Sequence, residues 1–186
     1  NNKDVTVVVE LQARFDEAAN IEWAKKLTDA GVKVEFGIQA LKIHSKICLV
    51  EREEEGKIMR YAHVGTGNFH EGTARLYTDF SLFTANQEIA GEVAQVFDTV
   101  THMYKRYTYK HLIVSPHDTR RSLKRLIKAE IEAAQDGKKA EIFFKINNLT
   151  DPEMIDQLYK ASQAGVKVRL IIRGMCCLIP GVKGMS

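Results

Sequence analysis

"AGVKV" occurs at 30–34 and again at 164–168, and the neighbourhood of each copy decides the fold. Ahead of the first, "DEAANIEWAKKLTDAG" (16–31) places Ala19, Trp23, Leu27 and Ala30 at the spacing of one helix face and closes on a glycine suited to end a helix. "VTVVVEL" (5–11) before it is a strand run, and "VKVEFGI" (32–38) after it is another. The second copy follows the same plan, with "AEIFFKI" (140–146), then "DPEMIDQLYKASQAG" (151–165), then "VKVRLII" (166–172). Sliding one copy onto the other puts "ELQARFDE" on "FKINNLTD", so strand, loop and helix correspond. The same α/β unit is used twice.

Between the copies, 41–50 and 58–64 read as a hairpin around the acidic tip "EREEEG" (51–56). Beyond the loop "GTGNFHEG", the stretch "ARLYTDFSLFT" (74–84) alternates as a strand. A helix from about Gln87 to Arg106, a strand "HLIVS" (111–115) and a helix from Asp118 to Gln135 complete the expected order. The expectation is an α/β chain in two parts, 1–110 and 111–186, one complete unit and the front part of a second. It starts inside a strand and stops soon after one, as an excised fragment would.

Composition narrows the class. A chain of 186 residues is long enough for a packed core. No apolar run approaches the roughly 20 residues needed to cross a bilayer, and "NNKDVTVVVEL" lacks a secretory layout. Cys48, Cys176 and Cys177 are odd in number and have no zinc-ligand spacing, which argues against a disulfide framework and for a reducing cytoplasm. A net charge of +3 does not by itself announce a nucleic-acid binder. Arg120, Arg121, Lys124 and Arg125 do crowd the start of a helix, either as a solvated face or as a path for a polyanion.

The stretch "ALKIHSKICLV" (40–50) carries the chemistry. Read as a strand, it projects Lys42, His44 and Lys46 from one face and sends Ile43, Ile47 and Leu49 into a core. Two ammonium neighbours disfavour imidazolium, leave a neutral nitrogen as nucleophile, and neutralise an anion that arrives there. Alone, the pattern also fits a strand histidine between solvated lysines. In "HVGTGNF" (63–69), two glycines allow close backbone approach to an anion, and Thr66 and Asn68 add donors. Alone, this loop also fits an ordinary turn. His63, His70, His102, His111 and His117 lack metal-cluster spacing, although His63 adjoins the glycine loop.

Together, H-x-K and then G-[ST]-x-N resemble the half-site of the phospholipase D superfamily, which pairs two such halves and forms a phospho-enzyme on one histidine. The acidic residue that usually ends the motif is Glu51 here rather than Asp. The longer segments "ELQARFDEAANIEWAKKLTDAGVKV", "LKIHSK", "YAHVGTGNFHEGTARLYTDFSLFTA", "LIVSP" and "RGMCCLIPG" resemble bacterial polyphosphate kinase nearly end to end. That family reversibly transfers the terminal phosphate of ATP to inorganic polyphosphate.

The resemblance implies a phospholipase D-like mixed sheet flanked by helices, with His44 as the autophosphorylated residue. It implies Tyr77 and Arg173 as ATP contacts, beside Lys46 and Asn68 of the motif as phosphate contacts. Arg14 matches a position the family associates with Mg²⁺; a guanidinium has no lone pair for a metal, so Arg14 is expected to hold phosphate oxygens that in turn hold the ion. The implied partners are ATP, ADP and inorganic polyphosphate, without nucleic acid. The implied location is the cytoplasm, with homo-oligomerisation and membrane association of the intact enzyme left open. The family's second histidine would fall beyond Ser186, so the fragment alone is expected to be inactive. Two rivals remain at this level, a phosphodiesterase or nuclease of the same superfamily and a non-catalytic polyanion-binding module.

Overall fold

In the computed structural model, which describes residues 3–10, 17–38, 41–102 and 104–186, the chain divides into units of residues 1–112 and 113–186. The first begins with strand β1 (Thr6–Val9), helix α1 (Glu17–Asp29) and strand β2 (Lys33–Phe36). β1 and β2 pair in parallel, Thr6 opposite Lys33 and Val9 opposite Phe36. Gly31 ends α1 at φ 81°, which brings its N–H to Thr28 O at 2.9 Å and the Val32 N–H to Leu27 O at 3.0 Å. A residue with a Cβ is disfavoured there. The α1 face differs from the expected one, because Ala24 is buried while Trp23 is 60% exposed with the Lys26 ammonium 4.9 Å from its ring centroid.

Strands β3 (Lys46–Glu54) and β4 (Lys57–Gly65) form the expected hairpin. Glu55 and Gly56 turn it at φ 51° and 74°, the backbone that a two-residue hairpin loop needs. The expected strand at 74–84 is instead a short helix, α2 (Glu71–Leu76), followed by strand β5 (Ser81–Thr84). The His70 Nδ1 accepts the Thr73 N–H at 3.2 Å and Arg75 pairs with Glu71 one turn away; these local bonds outweigh the alternation. β3, β4 and β5 lie in that order, antiparallel. Helix α3 (Gln87–Thr101), capped by Asn86, covers one face of this sheet, packing Ala90 and Val93 against Ala62, with Ile47, Leu49 and Val64 around them.

No strand forms at 111–115. The N–H groups of Lys110, His111 and Leu112 donate instead to the buried Glu92 carboxylate of α3, at 2.7, 3.1 and 2.8 Å. A side chain takes the donors that a ladder would use. Burial works to raise the Glu92 carboxyl, but these three donors outweigh it and hold the group below the usual range.

The second unit contains helix α4 (Thr119–Gln135), strand β6 (Glu141–Ile146), helix α5 (Pro152–Gln163) and strand β7 (Lys167–Ile172). Ile127 and Leu158, 1% exposed each, anchor α4 and α5 in a core with Ile142, Leu149 and Val166. β6 and β7 pair in parallel, and Gly165 caps α5 as Gly31 caps α1, at φ 91°, with the Val166 N–H reaching Ala161 O at 3.0 Å. The strand registers of the two copies differ by one position. Lys167 faces Glu141, one position beyond the counterpart of the Thr6 that faces Lys33. The resulting architecture is α/β, with parallel and antiparallel strands flanked by helices. Among the described residues, no helix is long and apolar enough to cross a membrane.

Candidate functional site

The sequence around His44 is not strand. β3 begins only at Lys46, and residues 42–45 run past the carboxyl ends of β1 and β2. Two contacts hold them there. The Ile43 N–H donates to Glu10 Oε2 at 2.9 Å, and Ile43 packs so closely on Gly37 that an added Cβ would sit 3.3 Å from Ile43 Cδ1. Ile43 is thus drawn inward while Lys42 and His44 stay exposed. The inward and outward assignment expected from a strand is kept by an irregular segment with different anchors.

The carboxyl edge of parallel strands is where α/β proteins place ligands, and the electrostatics suit an anion. The His44 imidazole is held below its ordinary value, first by loss of water around the ring, then by Lys46 and by Lys42. Lys46, half-buried, is itself lowered by burial and by Lys42, with Asp79 opposing. Its Nζ folds back to donate to His44 O at 2.6 Å. A neutral imidazole beside two cations is the state a phosphorus-attacking nucleophile needs.

The register of the hairpin joins the two motifs, because Lys46 of β3 faces Gly65 of β4. Gly65 and Gly67 are needed for space rather than for a left-handed backbone. A Cβ on Gly65 would lie 2.7 Å from His63 Cε1, and one on Gly67 would lie 2.6 Å from Asp79 Cγ. Thr66 is not a free donor, since its Oγ1 donates to Asp79 Oδ1 at 2.9 Å and accepts the Phe80 N–H at 3.0 Å. Asn68 and Tyr77 line one open cleft of ≈ 450 Å³ with His63, Phe69 and Asp79. Tyr77 lies in neither α2 nor β5, although 74–84 reads as a strand in the sequence. It is the extended residue that ends α2, its N–H donating to Thr73 O at 3.1 Å, and it is 50% exposed.

Sequence reasoning passed over Asp79 and gave His63 only its neighbourhood. Asp79 is the carboxylate that Gly67 makes room for and that acts on Lys46. His63 is 9% exposed, lies 4.7 Å from the Phe83 ring and 5.3 Å from Phe69, and leaves its Nδ1 without a partner. The available signal was the pair of glycines, one beside each of these bulky polar groups in space.

In the second unit, Arg173 follows β7 directly, exposed, its N–H donating to Ile146 O at 3.1 Å. β7 alternates between half-buried and exposed residues. The cations at the start of α4 meet internal carboxylates. Arg120 pairs with Asp151, Arg121 with Asp118 and Lys124 with Glu153, so three of the four have partners within the chain. Arg14 lies outside the described residues. Among those described, no group of three His, Cys, Asp or Glu is placed to hold a metal ion, and the single cleft carboxylate, Asp79, is bonded to Thr66.

Comparison with known proteins agrees with the wording of the sequence. The family described as "Polyphosphate kinase C-terminal domain 1" matches residues 1–106, and "Polyphosphate kinase C-terminal domain 2" matches residues 112–186. Over all 186 residues the chain is 60% identical to the polyphosphate kinase of Vibrio vulnificus (strain YJ016) and 54% identical to that of Escherichia coli (strain K12), covering 27% of each. A crystal structure of polyphosphate kinase from Porphyromonas gingivalis superposes with a TM-score of 0.83 at 35% identity, over 99% of this chain and 31% of that one. The chain therefore spans about a quarter of the length of these curated relatives. With both domain descriptions matched, the chain belongs to the polyphosphate kinase family, as part of its C-terminal region.

Proposed function

We propose that this segment supplies the phosphohistidine site of an ATP:polyphosphate phosphotransferase. The neutral His44 nitrogen attacks the terminal phosphorus of ATP; the bond from that phosphorus to the bridging oxygen breaks, and ADP leaves with the electron pair. A terminal oxygen of polyphosphate then attacks the phosphoryl group, the P–N bond breaks, and the histidine is restored with the polymer one phosphate longer. The reverse sequence makes ATP.

The observation that carries this reading is His44 itself, exposed at a carboxyl strand edge with its pKa lowered by burial, Lys46 and Lys42. Lys46 and Lys42 offset charge on the transferred group. Asn68 donates to phosphate oxygens, Tyr77 presents a half-exposed ring to the nucleotide, and Arg173 offers its planar fork to phosphate. Mg²⁺ enters with the nucleotide as a counter-ion of its phosphates, with Arg14 holding those phosphates rather than the ion. The same reading takes the boundary near 110 as the division between two phospholipase D-like domains, and the cytoplasm as the place of action.

The test is polymer synthesis by a chimera, a full-length relative in which these 186 residues replace the matching stretch. Labelled ATP should yield acid-stable polymer with the chimera and none with its His44→Ala variant. Normal synthesis by that variant would remove the proposal.

A further inference from the structure

We infer that Asn148 is a positioning residue, its Oδ1 fixing the backbone that carries Arg173 by accepting the Met175 N–H; the inference rests on the proposed phosphate contact of Arg173. Past the end of β7 the chain stays zipped to the segment after β6. The Arg173 N–H donates to Ile146 O at 3.1 Å and the Gly174 N–H to Asn147 O at 2.7 Å. At the next step a side chain substitutes for the main chain, and the Met175 N–H donates to Asn148 Oδ1 at 2.9 Å. Main-chain bonds then resume, from the Leu149 N–H to Met175 O at 2.8 Å and from the Cys177 N–H to Leu149 O at 2.9 Å.

The fit around that oxygen is close. A Cβ on Gly174 would lie 2.5 Å from Asn148 Oδ1 and 3.1 Å from Asn147 O. Gly174 is not among the glycines at positive φ, so its lack of a side chain answers this approach and not a backbone requirement. Asn148 thus occupies the space between the two residues after Arg173. Both segments lie at the carboxyl ends of parallel strands, where ligands bind in α/β sheets. A guanidinium fork discriminates phosphate geometry only when its backbone is held, because small misplacements are expensive in recognition.

Asn148 and Met175 are exposed, so water replaces the lost acceptor in an Asn148→Ala variant and the fold tolerates the change. The effect should appear in nucleotide binding. In the full-length chimera, Asn148→Ala is expected to raise KM for ATP roughly three- to tenfold with kcat within about twofold. Its melting temperature should stay near that of the parent. In an Arg173→Ala background the same change should add nothing, the non-additivity of residues acting through one another. If Arg173→Ala raises KM while Asn148→Ala leaves it unchanged, or if the two effects simply add, the positioning role is overturned and the Arg173 contact survives. If Arg173→Ala itself leaves KM for ATP unchanged, the phosphate contact falls and this inference falls with it.

Discussion

Asp79 lies so close over Gly67 that its Cγ would be 2.6 Å from a Cβ added there, while its Oδ1 accepts the Thr66 hydroxyl at 2.9 Å. One carboxylate thereby fixes the glycine loop on two sides and faces Lys46 electrostatically. Gly67→Ala should force the loop and Asp79 apart, costing about 1–3 kcal/mol in stability and lowering phosphoryl transfer by the chimera. Gly91 in α3 has nothing within 4 Å of an added Cβ, so Gly91→Ala should stabilise by about 0.5–1 kcal/mol. Thermal melts of the two variants, shifted in opposite directions, check the pair.

The pH dependence follows from the lowered His44 pKa. The nucleophile is the neutral ring, so a depressed pKa keeps it neutral to lower pH, and the acid limb of kcat/KM for ATP should lie below the ordinary histidine value of 6.5. Lys42 is one cause of that depression. Lys42→Gln should move the limb upward, toward 6.5. A limb that stays put or moves down would contradict the assignment.

Glu92 replaces a strand ladder with a charge-assisted bracket for three N–H groups. Glu92→Gln turns part of that bracket into a donor facing donors and should destabilise the first unit by about 2 kcal/mol. Its folded pKa is depressed, so its contribution is present above 4.5, the ordinary carboxyl value, and is lost as pH falls through the lower folded value. Denaturant melts of parent and variant should therefore converge in acid.

Leu158 is 1% exposed in the core between α4, α5 and the β6–β7 pair. Leu158→Ala should cost about 2–5 kcal/mol, read as earlier urea unfolding of the second unit while hydrogen exchange in β3 and β4 stays as in the parent.

The repeated α/β unit was legible because its glycine caps do the same job in both copies, at Gly31 and Gly165, and apolar spacing marks the long helices well. Two readings failed for one physical reason, that side-chain hydrogen bonds are not visible in alternation. His70 starts α2 where a strand was expected, and Glu92 removes the donors that would have made 111–115 a strand. The exposed Trp23 shows that apolar spacing gives a face but not which flank of it is buried. At the candidate site, His44, Lys46, Asn68 and Tyr77 are proposed from motif and resemblance. Asp79 is not, because its role comes from a contact with a glycine twelve residues earlier in the chain.

Covalent capture of phosphate by His44 is measured directly by exposing the full-length chimera to terminally labelled ATP without polymer and then locating the label. One phosphoryl group should be found on His44, stable in alkali, released by acid and absent from His44→Ala. Label that survives acid, or that the variant retains, would contradict it.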